Sequence, residues 1–566
     1  MNYKKITKII GIILVGLMLA YLSARIQFVH NAQINPDGRF HLIRMASIYQ
    51  SLSDGHLPDM VNFFGFNQRG LAITAVYPWL GTWMFILPMF ISHNPAVVGF
   101  IGFFIINLMT IGSMYALTKE LTSKWWLRFL GVCLYQFNAY HFILMYQRMA
   151  LGEAIGYALL PLVMAGLFKV WRKEKYGFLY VGLGMGIIAN SHILSLIITT
   201  LLIVMIELLR LVTRHVEWFE VKELLKAALL ALALSIYSLT NVLVWGRYNQ
   251  LIPPVPRISP VDLNAYIQET LSNTFIETAS PTMGLIITLV LLTLFVLLFI
   301  VPKGNWRYWS IAAIFLFICT LNWLPWPLFL HTPLTLFQFT MRLFCPIALF
   351  IAIALVLFFN QQKENNKPIA LLLCALLAIT TLSGGYKAYT DIKNRPYREW
   401  LTNDNMSKLK NNVESVDYLL AKPELVDKPY SFGPNGKATN RNERAAFNFD
   451  NDKKFTVVSS NYHSVTFKQN TPATKKVLLI PVVGYHHYHY QVKLNGVNVP
   501  VRKSDGQLKV TLPDDLLNKR NQVTVTVNHN NRNQVMFFIS LLANMVTLLI
   551  FSVFIMKHLF KHVVAK

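Results

Sequence analysis

Long apolar runs separated by short basic loops set the architecture of this chain. A run of about 18 or more apolar residues is long enough to cross the hydrocarbon core of a bilayer. The pattern predicts about twelve such spans. They are Ile6–Leu22, Val97–Leu117, Trp126–Met145, Ala154–Val170, Phe178–Ala189, Ile193–Val212, Ala227–Trp245, Met283–Val301, Trp309–Leu324, Leu343–Phe359, Ile369–Gly385 and Val535–Ile555. The first could pass for a signal peptide, but no small-residue cleavage site follows it, so the reading is a retained helix. Trp79–Ile91 is apolar but short, with Pro78 and Pro88 near its ends, and it predicts an interfacial or re-entrant helix.

That last choice fixes the parity of everything downstream. With Trp79–Ile91 not crossing, Lys119 and Lys124, Arg172–Lys175, Arg210 and Arg214, Lys303 and Arg307, and Lys363 and Lys367 all fall on the side of Lys4, Lys5 and Lys8. Basic loops stay cytoplasmic, so both termini are expected inside. Counting it as a span would place Lys119, Lys124 and Arg172–Lys175 outside.

Polar sequence takes over from Tyr386 to Asn533. Lys476–Val482, Tyr490–Leu494 and Gln522–Val527 read as strands, the last alternating in period two, and Asn495-Gly496 and Asp505-Gly506 read as turns. The expected fold class is therefore mainly α. A transmembrane helical bundle with its first outward loop at 23–94 fills residues 1–385, a small extracytoplasmic β-sandwich fills 386–533, and a C-terminal anchor and tail fill 534–566.

Composition narrows the function. Hydrophobic residues make up 54% of 566 positions, which excludes a chain of ordinary soluble domains. The formal charge of +25 lies largely in loops between spans, where it orients helices and suits anionic lipid head groups, so nucleic acid is not an expected partner. All four cysteines (Cys133, Cys319, Cys345, Cys374) fall in predicted spans, so neither a disulfide framework nor a thiolate metal site is implied. No Walker loop, dinucleotide fingerprint or HExxH motif occurs in a usable context, leaving nucleotide chemistry without support.

Candidate chemistry gathers in the expected outward segments. Asp37-Gly-Arg-Phe-His41-Leu-Ile-Arg44 places a carboxylate, an imidazole and a guanidinium at i, i+4 and i+7, one face of a helix. Asp37 suits a general base, a metal-binding carboxylate or a plain helix N-cap. Arg148 and Glu153, at the outward end of the Trp126–Met145 span, form either a surface ion pair or part of a cavity facing substrate. Gln338-Phe-Thr-Met-Arg342 offers a guanidinium able to grip phosphate, or one that snorkels to the interface. His192 reads as a hydrogen-bonded structural histidine or a ligand. In Gly484-Tyr-His486-His487-Tyr-His489-Tyr490, His487 and His489 would share a strand face, and an aromatic or sugar-stacking edge fits better than a metal site.

Taken in order, Asp37…His41…Arg44, Gly55-His-Leu-Pro58, Tyr77-Pro78, Arg148…Glu153, Ser191-His192 and Gln338-Phe339…Arg342 resemble the GT-C-type polytopic glycosyltransferases, in particular the bacterial YfhO-like membrane proteins. Some of these carry the label 6-pyruvoyl-tetrahydropterin synthase-related, which does not imply pterin chemistry. The resemblance implies a plasma-membrane enzyme that moves a sugar from a polyprenyl-phosphate donor to a cell-envelope acceptor such as teichoic acid. Asp37 would be its catalytic base. Glu153 is a second catalytic candidate, and His41, Arg44, Arg148, His192, Gln338 and Arg342 are the candidate substrate contacts. The counter-charge for the phosphate would come from these arginines or from a divalent ion, Mg or Mn, and no other cofactor is implied. Two positions depart from the family pattern: Trp79 stands where a second proline is expected, and Thr340-Met341 stands where the family has Pro-Trp. The rival reading is a transporter or lipid-linked-sugar flippase. Against it, the charged groups collect at one surface and not in paired broken helices at mid-membrane.

Overall fold

The computed structural model describes residues 3–28, 36–275, 281–393, 416–527 and 531–564. Helix dominates, and among the described residues eight helices are long and apolar enough to cross a membrane. These are Ile6–Ile26, Pro95–Leu121, Leu151–Trp171, Ile193–Val212, Trp218–Tyr248, Thr340–Gln361, Lys367–Lys387 and Asn533–Val553. The other expected crossings are shorter helices: Gly177–Ala189, Leu285–Ile300, Trp306–Thr320 and Trp125–Gln136. Leu80–Met89 is also short.

The expected Trp126–Met145 span breaks for a local reason. The Asn138 side chain accepts from the Tyr140 amide at 2.9 Å, so it starts a new helix instead of continuing the old one. A π-helical turn, Ile143–Gln147, follows and ends at Arg148. Such turns are rare inside helices and are found mostly at functional positions.

Burial sorts the helices into layers. Along the most apolar 18-residue stretch of each helix, 94% is buried in protein in Leu151–Trp171, against 17% in Ile193–Val212 and in Asn533–Val553. The outer helices expose Ile197, Leu201, Leu208 and Leu209, an apolar face that water would penalise and lipid would not. These features fit a membrane protein.

The polar region folds into two antiparallel sheets. Strands β3 (Phe455–Ser460), β4 (Ser464–Gln469), β6 (Tyr490–Leu494), β7 (Val497–Val499) and β10 (Gln522–Val527) form one, in the order β3-β4-β10-β6-β7. Strands β5 (Val477–Val483), β8 (Val501–Ser504) and β9 (Gln507–Thr511) form the other, in the order β5-β9-β8. Period-two alternation buries Val523, Val525 and Val527 of β10, and Val525 lies opposite both Val465 and Val492. The histidine tract departs from expectation: β6 begins only at Tyr490, and His487 has φ 55°, so 484–489 forms a turn and not a strand. His487 instead rests on Tyr248, ring centroids 3.7 Å apart.

This domain is fastened to the bundle by specific bonds. Arg69 Nε donates to Asp452 Oδ2 at 2.8 Å, with its guanidinium against Phe447 and Phe449. His463 Nδ1 lies 2.9 Å from Asp59 Oδ2. The His486 amide donates to Asn249 Oδ1 at 2.8 Å, and the Ala72 amide donates to Tyr485 Oη at 3.2 Å. The domain therefore has a fixed position beside the 57–76 part of the first loop.

Candidate functional site

The site lies where the first turns of Leu151–Trp171 and Thr340–Gln361 meet the Pro36–Ser53 helix, at the end of the bundle that carries the β domain. Its centre is Glu153, buried in the first turn of its helix. Glu153 Oε2 faces Arg148 Nη1 at 3.3 Å and Arg342 Nε at 3.3 Å, while Tyr140 Oη donates to Oε1 at 2.5 Å. One carboxylate thus holds two guanidiniums from distant parts of the chain. Arg342 is fixed further by donating to the Phe337 carbonyl at 2.6 Å and to Gln338 Oε1 at 3.1 Å.

Two backbone positions beside these arginines are strained. Met149, next to Arg148, has φ 53°, and Gln338 has φ 64° with ψ −52°; neither is glycine. Such conformations cost on the order of 1–3 kcal/mol each and cluster at functional sites. The Gln338 side chain compensates by donating to the Val255 carbonyl at 3.0 Å while receiving Arg342.

Asp37 faces the same cluster, with Oδ2 3.8 Å from Arg148 Nη2. Its side chain keeps 48% of its surface open. The surrounding recess still removes enough water to push its pKa above the ordinary carboxylate range, with Glu153 and Asp417 adding to the rise and Arg148 and Arg342 opposing it. Asp417 is itself paired with Arg441.

His41 and Arg44 occupy a deeper layer, away from Asp37's open edge. Arg44 is fully buried, donates from Nη2 to the Pro78 carbonyl at 2.9 Å and lies 4.3 Å from the Tyr77 ring centroid. Among the described residues its Nε and Nη1 have no hydrogen-bond partner, and burial lowers its pKa to about 10. His41 packs edge-on against Tyr77, and burial holds it neutral. His192 caps its own helix by accepting from the Ser195 amide at 3.3 Å; burial, with Arg342 nearby, drops its pKa to about 3.

Gly152 shows how tightly this layer closes. A Cβ there would meet His192 Cβ at 2.9 Å, the Ser191 carbonyl at 3.0 Å and Tyr77 Oη at 3.1 Å. Gly152→Ala is expected to force the Ser191-His192 turn away from Glu153 at a cost of about 1–3 kcal/mol, visible as a lower Tm of the purified protein. An unchanged Tm would mean that the turn yields freely.

The sequence reading missed Arg257. It lies in the proline-rich 251–261 loop, whose strand β1 (Ile258–Ser259) pairs in parallel with β2 (Gln338–Phe339). That pairing sets Arg257 4.2 Å from the Phe339 ring, where Arg148 and Arg342 stand at 5.2 and 5.4 Å. The only sequence signal was an arginine amid prolines, which carries no partner information until the pairing forms.

Below the cluster, a narrow cleft of about 20 Å³ lies between the Leu151–Trp171, Ile193–Val212 and Phe344–Gln361 helices. Glu153 and Arg342 line its polar part, and Leu160, Ile198 and Leu202 its apolar part. Among the described residues, no three His, Cys, Asp or Glu side chains converge to hold a metal ion. No family model, curated protein or solved structure matches this chain.

Proposed function

We propose that the chain is a membrane glycosyltransferase that moves a sugar from a polyprenyl-phosphate donor to a cell-envelope polymer or glycolipid. The observation that carries this reading is the pairing of Arg148 and Arg342 on one buried carboxylate, with Asp37 alongside and an apolar cleft beneath. A phosphate suits the guanidiniums, which grip its oxygens in a planar fork, and the apolar wall of Leu160, Ile198 and Leu202 is where an isoprenoid tail would lie once the narrow cleft widens. Asp37 is the remaining carboxylate with an open side, so it is the group placed to take a proton from an acceptor hydroxyl. Glu153, engaged by three donors, serves better as the counter-ion that positions the arginines than as a second base.

In this mechanism the acceptor oxygen attacks C1 of the sugar, its proton passes to Asp37, and the C1–O bond breaks with its electron pair left on the phosphate. A single displacement inverts the anomeric centre. With the basic loops cytoplasmic, the cluster and the β domain face outward, and the four shorter apolar helices complete a twelve-span bundle. The domain's fixed seat beside the first loop suits it to present the acceptor.

The test compares cell-wall and lipid glycans of a deletion strain with its parent by mass spectrometry. Loss of one sugar substituent, restored by the wild-type gene and not by Asp37→Asn, is the expected result. Accumulated lipid-linked sugar in the inner leaflet, with every linkage intact, would replace transfer with flipping.

A further inference from the structure

Three guanidiniums, not two, surround the Phe339 ring, and the third comes from a loop that the candidate motifs do not include. Arg257 reaches the ring at 4.2 Å and is steadied by Ser259 Oγ, which accepts from its Nε at 2.9 Å and its Nη2 at 2.5 Å. No carboxylate compensates it among the described residues; its main charged neighbours are Arg148 and Arg342, whose repulsion adds to burial in lowering its pKa. Like charges held together without a counter-ion store repulsion that an anion would relieve.

Resting on the phosphate-donor reading above, we infer that Arg257 is the third phosphate-binding residue, and that it matches the charge of this ring to the ligand at both ends of the reaction. Around Phe339 stand three cations, of which Arg148 and Arg342 are paired with the carboxylates of Asp37 and Glu153, leaving one uncompensated positive charge. A sugar phosphodiester carries one negative charge. Transfer turns it into a phosphate monoester with two, while Asp37 gains the acceptor's proton and becomes neutral. The ring then presents two uncompensated positive charges to a dianion. Without Arg257, the ring would be neutral before transfer and one charge short after it. The ligand class is therefore a lipid monophosphate, and a diphosphate would exceed the ring by one charge throughout.

The experiment measures binding of farnesyl phosphate, farnesyl diphosphate and farnesol to the full chain in phosphatidylcholine nanodiscs. The parent is expected to hold the monophosphate at least tenfold tighter than farnesol, and to gain nothing further from the diphosphate. Arg257→Gln is expected to weaken the monophosphate at least tenfold with farnesol unchanged and Tm within the parent's range; Arg257→Lys should recover part of the loss. Unaltered monophosphate binding in Arg257→Gln, with Arg342→Gln impaired, overturns the role of Arg257 and leaves the glycosyltransferase reading intact. A parent that prefers the diphosphate overturns the charge match, and a parent that does not distinguish monophosphate from farnesol overturns the phosphate reading as well.

Discussion

Replacing Asp37 by asparagine is expected to lower turnover by about 10²–10⁴, the range that a positioned general base contributes, with expression and Tm near those of the parent. The Pro36–Ser53 helix starts ahead of Asp37, which therefore lies in its first turn and not at the N-cap the sequence allowed, and since asparagine keeps the shape a purely structural Asp37 predicts little loss. The two roles separate on activity, not stability. The pH profile sharpens the distinction. Asp37 has a raised pKa because its recess desolvates it. The protonated, inactive form therefore persists to higher pH than for an ordinary carboxyl, and activity falls as pH drops through that raised value. In kcat/KM against pH, the parent should show this acidic limb and the residual activity of Asp37→Asn should lack it. Wild-type turnover in the variant would remove Asp37 from the mechanism.

What the sequence disclosed depended on the range of the interactions involved. Spans such as Pro95–Leu121 and strands such as Tyr490–Leu494 follow from local periodicity, and both were legible to within a few residues. The break inside Trp126–Met145 was not, because one Asn138 side chain redirected the backbone within a run that is apolar on both sides of it. In the site, Asp37, Arg148, Glu153 and Arg342 could be named individually. Their convergence required contacts between residues 189 positions apart, as for Arg342 and Glu153, which periodicity cannot express. Arg257 lay beyond reach altogether, since its place depends on a two-residue parallel pairing between loops. Grouping Asp37, His41 and Arg44 on one helix face was sound as geometry, yet depth divides them: Asp37 opens toward the cluster, while His41 and Arg44 are sealed beneath Tyr77.

Glu153→Ala is expected to damage the fold as well as the activity. Removing one partner of a buried ion pair leaves the other charge uncompensated and costs about 3–5 kcal/mol; here a single deletion strips the buried carboxylate from Arg342 and Arg148 together. It also leaves the Tyr140 hydroxyl without its acceptor. Arg148 retains Asp37 at 3.8 Å, so the expected rearrangement draws these two together and consumes the base that the reaction needs. The double change Glu153→Ala with Arg342→Met removes one of the stranded charges and should recover part of the lost Tm without recovering turnover, because a phosphate-binding guanidinium is gone. Glu153→Gln keeps an oxygen for Tyr140 and for one arginine, so its loss of stability should be smaller than that of Glu153→Ala. If Glu153→Ala instead melts like the parent and differs only in rate, then Glu153 acts in the chemistry and is not the brace that holds the two arginines.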